Sequence, residues 1–215
     1  IHEWLVSLQK KKKKPVRVAI NGIEGTGKTT FSEELVGYLQ SENVNAINVS
    51  IDGFHFNKER RYKQGRDSAR GYYEDSYDEV GFVKKVLLSS QREAPSYISA
   101  THDLESDLYI NLEPVKVLNN AVLVTDGAYL FKQPYRDHWD LKVYLKTDFE
   151  TALQRGAKRD RESLGGMNGA VQKFKDRYHK ASQLYIEKND PETLADLVID
   201  NTDFENLKIV KQNDQ

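Results

Sequence analysis

The eight residues Gly22-Ile23-Glu24-Gly25-Thr26-Gly27-Lys28-Thr29 restrict the fold of this chain more than any other stretch. They fit the pattern G-x-x-x-x-G-K-[ST] at every fixed position. Residues 16–21 before them are apolar and β-branched enough to predict a short buried strand. From Lys28 to about Gln40, the spacing of Phe31, Leu35, Tyr38 and Leu39 predicts a helix. A strand, a Gly-rich turn and a helix make a phosphate cradle. Backbone N–H groups point inward, and the helix N-terminus adds the positive end of its dipole. Gly22, Ile23, Glu24, Gly25, Thr26 and Gly27 would form the cradle, with Thr30 extending it into the helix. Lys28 would neutralise β- and γ-phosphates, and Thr29 would place its hydroxyl on Mg²⁺. The expected ligands are therefore ATP and Mg²⁺.

The rest of the chain supplies a matching frame. Strand-like stretches at 45–51, 121–125, 141–145 and 197–199 alternate with helical ones at 80–88, 148–163 and 170–188. Residues 96–100 and 114–118 could pair as a small hairpin or an edge. This alternation predicts a parallel sheet with helices on both faces, in an α/β chain whose 215 residues suit one domain. Residues 1–15 read as a leading helix and a lysine-rich link, with Lys10 to Lys14 a solvated run that Pro15 ends. Residues 148–170, interrupted by Gly165-Gly166, read as a mobile lid.

Composition removes several alternatives. A formal charge of −1 gives no field that would draw the chain to nucleic acid or a membrane surface. The absence of cysteine excludes disulfides and thiolate metal sites and suits a cytoplasmic location. No apolar run approaches a membrane span, and nothing at the start resembles a signal peptide. His55 and His102 lack His or Cys neighbours at ligand spacing, which argues against a histidine metal site.

Ligands on parallel sheets bind beyond the carboxyl ends of the strands. Asp52 follows the second strand and would accept the proton of an attacking hydroxyl, or orient that hydroxyl for in-line attack. Asp126 follows the apolar strand 121–125 and would serve as a second Mg²⁺-directed carboxylate, through bound water. Arg155 and Arg159, four apart on the lid helix, would stabilise charge on a transferred phosphoryl group. His55, Tyr97 and His102, with Arg66 from the Arg-rich segment 57–70, are candidate acceptor contacts. A guanine-reading [NT]-K-x-D segment is missing, since Asn57-Lys58-Glu59-Arg60 fails at its last position.

Together these residues resemble the uridine kinase, phosphoribulokinase and bacterial pantothenate kinase family of P-loop kinases, from about Val16 to Asn201. The segment Ser50–Phe56 looks like the family's catalytic-Asp segment. Residues 95–102 look like P-x-Y-x-x-x-[ST]-H, whose Tyr and His read a pyrimidine. Thr125-Asp126-Gly127 sits where the family usually has Glu-Gly, and residues 155–160 look like the lid pattern R-x-x-x-R-D. The resemblance implies a three-layer α/β/α fold with a five-stranded parallel core, a lid helix and an acceptor-side hairpin. It implies transfer of the ATP γ-phosphate to a small-molecule hydroxyl, that of a uridine- or cytidine-like nucleoside first. Two positions depart from uridine kinases. Tyr72 falls where they carry an Asp for the ribose hydroxyls, and Leu104 replaces an Arg. Residues 74–78 look as much like pantothenate kinase, so pantothenate or a sugar is the alternative acceptor, and a non-catalytic nucleotide-binding protein the alternative class. Assembly into a homo-oligomer is left open.

Overall fold

In the first strand, β1 (Val16–Gly22), Val16, Val18 and Ile20 face one way and Ala19 the other, each buried in a different apolar cluster. Side chains alternate across a strand, so a strand apolar on both faces must lie inside a sheet covered on both sides. The computed structural model describes residues 1–213 and shows this arrangement. The remaining strands are β2 (Ala46–Asn48), β3 (Ser96–Tyr97), β4 (His102–Asp103), β5 (Leu108–Tyr109), β6 (Val115–Lys116), β7 (Val122–Gly127), β8 (Leu141–Lys146), β9 (Leu197–Asp200) and β10 (Lys208–Gln212). The α-helices are α1 (His2–Lys11), α2 (Lys28–Ser41), α3 (Lys58–Arg61), α4 (Ala69–Asp75), α5 (Glu79–Phe82), α6 (Phe149–Asp160), α7 (Gly166–Lys173), α8 (His179–Asn189) and α9 (Pro191–Leu194).

The main sheet runs β10-β9-β8-β1-β7-β2. The five strands from β9 to β2 are parallel, as the alternation of elements predicts. The sixth, β10, is an antiparallel addition on the edge, which the sequence reading lacks. Its residues are mostly exposed, so no buried alternation marks it. Val122 and Val124 of β7, with Leu141, Val143 and Leu145 of β8, join Val16, Val18 and Ile20 under α1 and α2. Leu123, Tyr144 and Val198 face the other layer, with Phe54, Phe82, Phe131 and Tyr185.

Three local differences from the sequence reading have physical causes. The second strand stops at Asn48, and Ile51–Phe54 coils into a 3₁₀ turn capped by the Ser50 hydroxyl on the Asp52 N–H (3.3 Å). The helix expected from residue 170 begins at Gly166 and widens into a π-helical stretch at Phe174–Tyr178 before α8. There the Phe174 ring packs so closely on Gly156 of α6 that a Cβ at 156 would overlap it. The lysine run is less solvated than expected. Lys12 bonds Asp140 at 2.6 Å, and Lys14 bonds the Arg92 carbonyl at 2.6 Å. The anticipated pairing of residues 96–100 with 114–118 appears as the short antiparallel β3–β6 ladder, beside a second small ladder, β4–β5.

Candidate active site

The phosphate loop is shaped by its own residues and by contacts with α6 and Asn201. Gly25 (φ 88°) and Gly27 (φ 94°) lie in the left-handed region, where a side chain is strained. A Cβ on Gly25 would also strike the Ala152 carbonyl of α6. Thr26 turns its hydroxyl onto the Ile23 carbonyl (2.6 Å), and its own carbonyl accepts from Asn201 Nδ2 (2.7 Å). Asn201 stands just past β9, so the strand-end rule could have found it. Helix α2 has Gly27 as its N-cap residue, with no side-chain cap and no acidic residue in its first turn. Its first N–H groups therefore remain available for an anion. Lys28 is buried and folded back, with Nζ 2.8 Å from the Ile23 carbonyl and 3.9 Å from Glu24 Oε2.

Three strand ends meet at this loop. The loop residues Glu24, Lys28 and Thr29 share a cleft of about 360 Å³ with Asp52, Asp126 and Arg159. Thr29 donates to Asp126 Oδ2 at 2.8 Å. Burial raises the Asp126 carboxyl above the usual carboxylate range; the nearby Asp52 charge adds to this, while the Thr29 hydroxyl and Lys28 oppose it. Its Oδ1 is buried without a hydrogen-bond partner. A hydroxyl, a carboxylate with a free oxygen and an adjoining anion cradle form an all-oxygen donor set. That set fits Mg²⁺, which holds few protein ligands and keeps water and phosphate oxygens. Among the described residues no group of three or more His, Cys, Asp or Glu is placed to hold a metal ion.

The Asp52 side chain is 57% exposed to the cleft and accepts from the Tyr77 hydroxyl at 3.1 Å. His55 Nδ1 lies 2.9 Å from the Asp52 carbonyl, which it can bond only as the N–H donor. Burial lowers the His55 pKa despite Asp52, so the ring holds this turn in neutral form. The two arginines of α6 separate. Arg159 lines the cleft, is bonded by Asp160 (2.7 and 2.8 Å) and is held above its usual pKa by that pairing. Arg155 instead donates to the Asn201 and Thr202 carbonyls (2.8 and 2.7 Å) and lies 3.5 Å over the Phe204 ring. It lines an adjoining cleft of about 440 Å³ with Gly25, Thr30, Lys158 and Phe204.

The acceptor-side candidates are not gathered in one open pocket. Tyr97 is buried in the layer that holds Phe54 and Phe82, and His102 has no exposed side-chain surface. Its Nε2 is 3.3 Å from Asp107 and its ring meets Tyr109 edge-on. Arg66 is exposed beside the Tyr62 ring, and its carbonyl accepts from Lys173 (2.7 Å) and Arg177. The sequence reading missed Tyr72 and Tyr77 as site residues. Tyr72 donates to Glu24 Oε1 at 2.8 Å, and both phenols are held protonated, chiefly by burial. Tyr72 on a short helix and Tyr77 in an isolated bridge to His55 gave no periodic signal.

The sequence profile of the Phosphoribulokinase / Uridine kinase family matches residues 17–207. The chain belongs to this family. It is accordingly a P-loop kinase of the phosphoribulokinase/uridine kinase type, a class that uses ATP with Mg²⁺. Uridine kinase of Leuconostoc citreum is 28% identical over 176 residues, 78% of this chain and 81% of that one. Uridine kinase of Clostridium tetani is 25% identical over 191 residues, 87% of each chain. A solved structure described as a possible uridine kinase from Bacillus stearothermophilus superposes with a TM-score of 0.68 at 20% identity, covering 91% of this chain and 97% of that one. D-glycerate 3-kinase from Cryptococcus neoformans gives a TM-score of 0.58 at 12% identity, covering 97% of each. These structural likenesses concern the fold.

Proposed function

We propose that this family member transfers the γ-phosphoryl group of Mg·ATP to a hydroxyl of a small molecule, a uridine- or cytidine-like nucleoside being the first acceptor to test. The observation that carries this reading is the convergence of the phosphate loop, Asp52, Asp126 and Arg159 on one cleft. Loop N–H groups and Lys28 would hold the β- and γ-phosphates. Thr29 and Asp126 would hold the Mg²⁺, which spreads phosphate charge when bound. Asp52 would align the acceptor hydroxyl and take its proton as the new O–P bond forms and the bond to the leaving ADP breaks. Arg159 would stabilise charge on the transferred group. Arg155 is better placed as a wall of the adjoining cleft, where the rest of the nucleotide would lie.

The curated relatives named uridine kinases support a nucleoside acceptor. A sugar or other polyol is the second reading. It is favoured by the sealed His102, the core position of Tyr97 and the aromatic residue at position 72. The decisive assay is ADP release with Mg·ATP against uridine, cytidine, pantothenate, D-glycerate and simple sugars, with Asp52→Asn alongside. Acceptor-dependent turnover that Asp52→Asn lowers by about 10²–10⁴-fold, with nucleotide binding retained, is expected. Nucleotide binding without turnover of any acceptor would overturn the reading.

A further inference from the structure

Glu24 puts a carboxylate inside the phosphate cradle. A carboxylate repels the triphosphate the loop exists to hold, so its use in the cleft must lie with a proton donor or a cation. Its side chain is only 15% exposed. Burial alone would raise its pKa, yet Lys28, the Tyr72 hydroxyl and Arg159 together hold it below the usual value, so it stays ionised. Oε1 is occupied by Tyr72. Oε2 has Lys28 at 3.9 Å, too far for a hydrogen bond, and accepts none among the described residues. When Lys28 turns to the phosphates, Oε2 loses its nearest cation. That oxygen is then an ionised acceptor open to the cleft, free to take a hydrogen bond from a ligand donor.

Asp52 stands in the same cleft and is held in the same way, by the phenol of Tyr77. Glu24 and Asp52 thus line one cleft, each with one oxygen held by a phenol. From this pairing we infer that Glu24, steadied by Tyr72, accepts a hydrogen bond from a second hydroxyl of the acceptor. The acceptor is then a polyol, such as the ribose of a nucleoside or a hydroxylated acid, whose other hydroxyl faces Asp52. Glu24 is a specificity residue, and the inference rests on the kinase reading above.

The test compares matched acceptors in kcat/KM: uridine with 2′,3′-dideoxyuridine, and D-glycerate with 3-hydroxypropionate. For whichever pair is turned over, the native enzyme should favour the polyol by about tenfold to several hundredfold. Glu24→Gln should shrink that ratio at least about tenfold, mainly through acceptor KM. The Kd of a fluorescent ATP analogue should not rise, since the substitution removes a negative charge beside the phosphates. Glu24→Asp, which keeps the charge but shortens its reach, should shrink the ratio likewise if Glu24→Gln folds poorly. Tyr72→Phe should shrink it less. A native ratio near one overturns the inference while leaving the kinase reading intact. So does a Glu24→Gln enzyme whose ATP-analogue Kd shifts while its ratio stands, since Glu24 would then be only the counter-ion of Lys28. Nucleotide binding with no phosphorylated acceptor at all removes the kinase reading itself, and the inference with it.

Discussion

Tyr185→Phe removes one oxygen atom that ties the end of β1 to the opposite layer. Tyr185 is 1% exposed. Its phenolic oxygen accepts from Asn21 Nδ2 at 2.6 Å and from the Phe131 N–H at 3.2 Å. Asn21 immediately precedes the phosphate loop, and Phe131 lies in the segment after β7. The substitution keeps the ring packing but leaves two buried donors without partners. Each orphaned donor costs about 1–3 kcal/mol, giving about 2–6 kcal/mol before the structure relaxes. Relief from burying the phenolic oxygen offsets part of this, so the expected loss is about 2–4 kcal/mol. For a chain of this size that corresponds to a fall in Tm of about 4–16 °C. Urea unfolding should show the loss as a lower midpoint with an unchanged m-value. The double variant with Asn21→Ala should be less destabilised than the sum of the singles, by about 1 kcal/mol. A loss below about 1 kcal/mol, with no coupling, would show that the two donors find other partners and refute the argument.

Gly156→Ala should destabilise the chain by about 1–3 kcal/mol, because its methyl group would overlap the buried Phe174 ring; denaturant midpoints near the native value would contradict the packing. Asp140→Asn should cost about 2–4 kcal/mol at neutral pH, since Arg17 is left only 12% exposed with its carboxylate gone. Burial alone would raise the Asp140 pKa, but Arg17 and Lys12 together hold it below the usual value, while burial prevails at Lys12 and lowers that group's pKa. A depressed carboxylate contributes fully above the ordinary range near about pH 4 and less as pH falls through its own lower pKa. The gap between native and variant stability should therefore close on acidification below about pH 4, as read by unfolding across pH. Burial raises the Asp126 pKa, so Mg²⁺-dependent nucleotide affinity should begin to fall on acidification above the usual carboxylate range. Titrating Mg²⁺ at several pH values, with Asp126→Asn as the flat comparison, checks this.

The sequence by itself determined the parts that depend on local pattern. Strict glycine and lysine spacing marked the phosphate loop, and alternation of apolar runs marked the parallel core. An acid after a strand marked Asp52 and Asp126 as residues of one rim, because parallel strands point their carboxyl ends the same way. Only the tertiary structure decided what each side chain faces. It sent Arg159 into the phosphate cleft and Arg155, one helical turn earlier, onto Phe204. It sealed His102 behind Asp107 and Tyr109, and brought Tyr72 from a short helix onto Glu24. Those pairings join residues 48 or 49 positions apart, or fold a hairpin on itself. Periodicity carries no information about such contacts, because they follow from how separate elements pack and not from the order of residues within one.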